Sequence, residues 1–290
     1  MSRAASSGAP RIDRAAWLAL PAVIFVLAVF ILPFAYGLVL SFAPKQGGAL
    51  ANYVRFFSDP NFYRTVGITL WLALPATLIN VLLSVPIAYR LRYPSRSQRF
   101  VTALLVVPIT LGTVLIADGL LSYLGPQGWM NRLLLAAGLT GEPVRLVHNY
   151  TGVLLSLIIS GFPFTFLLTL SYITGVDPNL PKAAMTLGAG PWRQFREIYL
   201  PLLLPGLAVA FCLTFVQAFS VFPSAVLLGA PAGPTRVISI AAWQSAYEDY
   251  DYSLASAVAM LMGVIQLAVT MFVLGGRRLL YRGPVAGGKG

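Results

Sequence analysis

Few side chains in this sequence have the chemistry of a site. Asp118 is the one ionisable group deep inside a long apolar run. An unpaired charge there is costly, so it must face a cavity or a partner. That makes it a candidate contact for a cationic solute; the other reading is a local hydrogen bond near the end of its span. Glu248, Asp249 and Asp251 interleave with Tyr247, Tyr250 and Tyr252. Such a cluster attracts cations or meets a partner protein, or else caps the helix that follows, where acids are favoured. Asn80, Gln217 and Gln266 are polar groups in apolar runs, able to line a solute path or to bond between helices. His148 and Cys212 are each the sole residue of their type, and no HExxH, CxxC or glycine-rich phosphate loop occurs. No metal, no cofactor and no catalytic residue are therefore expected, and a lone cysteine forms no internal disulfide.

The elements that must hold these groups are apolar. The chain is 58% hydrophobic and 10% charged, against about 25% charged in an ordinary soluble domain. So few charges cannot cover a water-facing surface, and the class is an integral membrane protein. About 20 apolar residues cross a bilayer as a helix. Six runs qualify, at 15–44, 65–89, 100–123, 149–176, 206–228 and 252–276, the third interrupted only by Asp118. The first follows a basic start but is too long for a signal peptide, so it is expected to stay as a helix. Residues 237–247 are uncharged but too short to cross, and are expected at the surface or tucked into the mouth. The expectation is an all-α polytopic protein with six transmembrane helices. It has a tail at 1–15, a first helix at 16–44, a five-helix core at 65–276 and a tail at 277–290. Pro21, Pro33, Pro75, Pro86, Pro108, Pro163 and Pro223 lie within or at the edges of the runs and are expected to bend them.

Fourteen of the twenty Lys and Arg residues lie in the two tails and the loops at 90–99 and 177–197. The opposite side holds Lys45, Arg55, Arg64, Arg132, Arg145 and Arg236. Positive residues stay inside, so both termini and the 177–205 loop are expected in the cytoplasm. The net charge of +11 is then mostly a topology signal, and no nucleic-acid partner is needed.

That loop is a charged island between apolar runs. Asp177-Pro178 is a helix start. Leu180, Ala183, Ala184 and Leu187 follow at i, i+3, i+4 and i+7, one apolar stripe. Gly188 sits where a helix stops, and Gly190-Pro191 opens a second helix carrying Trp192, Phe195, Ile198, Tyr199 and Leu202 on one face. The first helix is too short to be stable alone in water, so something must hold it.

The spacing K-A-A-x-x-x-G-A-x-x-x-x-x-F-x-x-I-x-L-P at 182–201 resembles the "EAA" signature of permease subunits of binding-protein-dependent ABC importers. Ala183, Ala184, Gly188, Ala189, Phe195, Ile198, Leu200 and Pro201 match it. Lys182 departs, standing where the family usually has Glu. Any ion pair made there is inverted; either a partner offers an acid, or Lys182 faces water. The resemblance implies the type I importer permease fold, with the first short helix as the coupling helix that docks on a cytoplasmic ATPase subunit through Leu180, Lys182, Ala183, Ala184, Leu187, Gly188, Ala189 and Phe195. It also implies a second permease subunit, an extracytoplasmic solute-binding protein, surrounding membrane lipid, and ATP bound by the ATPase alone. The segment Gly125–Asn131 and the stretches at 227–231 and 243–253 look most like permeases of the polyamine group, whose relatives carry thiamine, ferric iron or aminophosphonates.

The reading is a non-enzymatic permease subunit in a bacterial inner membrane, importing a small solute such as a polyamine or another cation. A stand-alone channel or secondary transporter would usually show internal repeats or several intramembrane charges. A membrane enzyme would need a convergent constellation. Neither pattern is present.

Overall fold

The computed structural model describes residues 14–280, with side chains described over 20–276. The expected tails at 1–15 and 277–290 lie outside those side-chain limits. Among the described residues every regular element is a helix. Six helices are long and apolar enough to cross a membrane, beginning with Leu20–Ser41, Pro60–Arg90, a third from Arg96, and Tyr150–Thr174. The fifth is Pro191–Phe219 and the sixth covers Tyr252–Gly276. The third reaches Leu124 before a turn, and a short helix, Trp129–Ala136, follows it.

The second and fourth spans pack along each other, and the fifth lies against both. The sixth packs on the fifth, on the first span and on the short helix Ile238–Tyr247. Apolar side chains gather in two clusters. One, around Phe56, Leu72, Phe215, Ile238 and Leu254, fills one end of the bundle. The other, around Ala88, Phe166, Ile173, Tyr199 and Leu203, lies toward the 177–205 loop. Among them are buried polar groups that tie spans two, four and five together. Ser84 and Thr169 hydroxyls bond at 2.9 Å, and Thr165 bonds Thr214 at 2.7 Å. Ser156 meets Ser224, beyond the fifth span, at 2.8 Å. In lipid, such bonds and close approach replace the hydrophobic drive that soluble helices use.

Close approach depends on Gly206. A Cβ there would sit 2.4 Å from Cγ of the Tyr172 ring. Gly206→Ala is expected to push the fourth and fifth spans apart, at about 1–3 kcal/mol for overpacking. Thermal unfolding in detergent checks this; an unchanged midpoint would show that the ring swings away freely.

Two sequence expectations change. The run at 206–228 is not the fifth span, which begins at Pro191 and ends at Phe219, with Pro223–Leu227 a separate short helix. Pro201 looks like a break, but the helix absorbs it. Residues Phe195–Tyr199 form a π turn in which Leu200 N–H donates to the Phe195 carbonyl. The wider turn makes room for a proline ring that would clash in a regular α turn. The first span does the same: its π turn Leu27–Ile31 also ends one residue before Leu32-Pro33. The third span, expected to bend at Pro108, is interrupted instead at Gly112, whose φ of 74° and ψ of 165° are not helical. Glycine alone adopts that conformation readily. Of the two places expected for residues 237–247, helix Ile238–Tyr247 takes the tucked one. Ile238, Ile240 and Ala241 are buried, and Ile238 N–H donates to the Thr69 hydroxyl at 2.9 Å.

Candidate functional site

The 177–205 loop is built in two parts, one free and one fastened. Asp177 Oδ1 accepts from Asn179 N–H at 2.9 Å and starts the helix Asn179–Thr186. The helix closes where Gly188 turns to φ +78°, with Ala189 N–H reaching the Ala184 carbonyl at 2.9 Å and Gly188 N–H reaching Met185 at 3.0 Å. That pair of bonds is a Schellman stop, which glycine makes without strain. Pro181 alone in this helix is buried. Leu180 is 45% exposed, Met185 63% and Leu187 86%, and past the turn Trp192 is 72% exposed. Ala183 is also exposed and Ala184 half-buried. Large apolar groups stand bare on a short helix just before the fifth apolar span and on that span's first turn. Exposed apolar patches of this kind mark contacts with another protein or with a membrane. Lys182 is exposed and forms no ion pair among the described residues.

The second part is held hard. Gln194 is buried, and its Nε2 donates to the Ala189 carbonyl at 2.9 Å, closing the turn between the two helices. Phe195 meets Tyr89, at the end of the second span, edge to face at 4.8 Å, and Tyr199 meets the same ring at 5.2 Å. The Tyr89 hydroxyl donates to the Pro191 carbonyl at 3.1 Å. Arg92 lies over Tyr89 at 3.9 Å, Tyr93 at 4.4 Å and Tyr199 at 5.3 Å from the ring centres. Its Nη1 donates to the Tyr89 carbonyl at 2.6 Å. Burial works against the Arg92 charge, yet hydrogen bonds with Tyr93 and Tyr199 outweigh it and its pKa rises. The Tyr93 pKa is lowered, first by its hydrogen bond with Tyr199, against burial, and further by Arg92 and the nearby charge of Lys182. Tyr89, Arg92, Tyr93 and Gln194 escaped the sequence reading. Their only sequence signal is an aromatic and basic run, Y-R-L-R-Y, at the end of a span.

The candidate solute-path residues are not brought together. Asp118 is exposed on the third span beside the buried Ala117, and makes no ion pair or hydrogen bond among the described residues. Gln217 is exposed on the fifth. Gln266 bonds across to Ser220 Oγ at 2.7 Å and to the Val216 carbonyl at 3.4 Å, joining the sixth span to the end of the fifth. Asn80 takes the second of its two readings, a bond between helices. It is buried between spans, with Nδ2 donating to the Leu157 carbonyl at 3.3 Å, and Gly161 packs directly on it. The acidic cluster divides. Glu248 and Asp249 are exposed, but Asp251 is buried. Asp251 caps the sixth span by accepting from Leu254 N–H at 3.2 Å and pairs with Arg55 at 3.5 Å. Asp251 is therefore a structural cap, because a helix start offers it unpaired N–H groups.

A family model described as "Binding-protein-dependent transport system inner membrane component" matches residues 80–281, the part that holds both halves of the loop and its anchor. The chain belongs to this family. The permease is a multi-pass inner-membrane protein and a transport subunit of an ABC importer. It is 31% identical over 224 residues to the "Probable sulfate transport system permease protein cysT" of Chlorella vulgaris, covering 76% of this chain and 80% of that one. It is 30% identical over 186 residues to the "Spermidine/putrescine transport system permease protein PotB" of Escherichia coli (strain K12), covering 64% and 67%. The fold matches a bacterial alginate ABC transporter solved with an alginate-bound periplasmic protein, at TM-score 0.77 and 22% identity over 93% of this chain and 96% of that one. An inward-facing MetNI methionine ABC transporter matches at TM-score 0.60 and 18% identity, over 76% and 95%.

Proposed function

We propose that this permease is a non-enzymatic subunit of a bacterial ABC importer, driven by separate ATPase subunits that dock on Asn179–Thr186. It pairs with a second permease subunit and receives its solute from an extracytoplasmic binding protein. Both termini and the 177–205 loop face the cytoplasm, in keeping with the clustering of Lys and Arg. The observation that carries the reading is the bare apolar end of the loop helix mounted on a rigid aromatic base. A stand-alone channel has no use for that combination. Reconstitution into vesicles separates the two: the permease with its ATPase accumulates solute only when ATP is supplied. Flux without ATP would refute the proposal.

The solute is a small cation. The support is Asp118, an exposed carboxylate on an apolar helix with no partner among the described residues. A second reading, an oxyanion such as sulfate, is favoured by the greater coverage of the sulfate permease relatives. Equilibrium binding of putrescine and of sulfate to the partner binding protein decides between them. On the cation reading, Asp118→Asn slows putrescine import roughly ten-fold, the low end of what electrostatic focusing supplies, while the binding protein still selects the same solute. Unchanged import would remove Asp118 from the path.

A further inference from the structure

Beside the loop, the third and fourth spans part at one end to leave an open cavity of about 540 Å³. Gln98, Arg99, Ser171 and Thr174 line its rim, and Ala103, Leu167 and Leu170 lie below them beside the single hydroxyl of Thr102. The two walls change character at the same depth. Arg99 to Ala103 on one span and Ser171 to Leu167 on the other each descend four residues, about 6 Å. The apolar run of the third span starts at Phe100, so Arg99 stands at the level where lipid phosphates lie. The cavity therefore straddles the boundary between headgroup and acyl chain.

Its charge is one-sided. Arg99 makes no ion pair or side-chain hydrogen bond among the described residues, and the Ser171 hydroxyl makes none either. Arg90, Arg92 and Arg96 lie within the same stretch, and no acid occurs in 90–103 or 167–174. A zwitterionic headgroup would need a carboxylate for its ammonium, and the cavity has none. A free phosphate would leave Ala103, Leu167 and Leu170 uncovered. From this geometry we infer that the cavity is a binding site for an anionic phospholipid. The phosphate pairs with Arg99 and accepts from the Ser171 hydroxyl, and the acyl chain lies along Leu167 and Leu170. Basic pockets between spans hold anionic headgroups in this way.

The test is native mass spectrometry of the full chain, released from micelles that contain phosphatidylglycerol and phosphatidylcholine in equal amounts. Wild type is expected to retain phosphatidylglycerol. Arg99→Gln retains about five-fold less, as the loss of one interfacial charge implies. Ser171→Leu, which fills the rim without changing charge, also lowers retention. Arg64→Gln, at the far end of the second span, leaves it unchanged. Equal retention by wild type and Arg99→Gln overturns the site. Equal loss in Arg64→Gln overturns it too, because the attraction would then be diffuse. Displacement of the lipid by millimolar inorganic phosphate would show a free-anion site and overturn the lipid assignment. Circular dichroism confirms that each variant is folded.

Discussion

Charging the bare end of the loop helix, with Met185→Asp and Leu187→Asp together, is expected to abolish ATP-driven import while leaving the permease folded. Both side chains are more than half exposed, so the free chain loses little packing when they change. In a docked complex they would be buried. Each buried apolar side chain contributes about 1.5–3 kcal/mol, so the pair amounts to roughly 3–6 kcal/mol, more than a hundred-fold in docking. An acid in an apolar cleft adds a desolvation cost to that loss. Co-purification of the ATPase should fall with transport, while thermal unfolding of the isolated permease stays within about 0.5 kcal/mol of wild type. If the doubly charged variant still captures the ATPase and imports at the normal rate, docking takes place elsewhere. Lys182→Glu separates the two accounts of that position. It weakens capture if the partner offers an acid, and has no effect if Lys182 faces water.

The second large effect is expected at Arg92, which ties the fastened half of the loop to the end of the second span. Arg92→Ala removes stacking on three tyrosine rings, each worth about 0.5–2 kcal/mol depending on burial. It also removes the bond from Nη1 to the Tyr89 carbonyl. The fastened half of the loop then loosens against the second span. ATP hydrolysis is expected to continue, with several-fold less solute imported per ATP. Arg92→Lys keeps the charge but not the flat face that stacks, so it should restore only part of the ratio. A role in folding alone would lower hydrolysis and import together and leave their ratio unchanged. Measuring that ratio in vesicles therefore separates transmission from stability.

Much of this was legible in the chain because it depends on local pattern. Long apolar runs mark the spans, since lipid demands helices with every backbone group satisfied. The loop helix was marked at both ends, by Asp177 and by Gly188, whose positive φ no other residue adopts as easily. What escaped was set by long-range contact. Tyr89 and Phe195 are far apart in sequence, and no spacing rule joins them. Asp251 reads as a surface acid until Arg55 and the Leu254 N–H are seen beside it. Asn80 reads equally as path-lining or as a bond between helices until its contact with the Leu157 carbonyl is seen. The fifth span was misplaced because Pro201 signals a break in an α-helix, and a sequence does not announce a π turn. Gly112 was one glycine among 26, and nothing local distinguished it.

The π turn at Phe195–Tyr199 has a consequence for the heading of the loop. A five-residue repeat carries one residue more than an α turn, and each residue is worth about 100° of rotation about the axis. The membrane part of the fifth span and the segment bearing Trp192 are thus phased apart by a single inserted residue. Removing Arg196 or Glu197, both exposed, would wind the turn back to α geometry and swing Trp192, Gln194 and Phe195 about a quarter-turn around the axis, pulling Phe195 off the Tyr89 ring. The compass direction of the loop is encoded by chain length at one place, separately from the chemistry of the surface it presents.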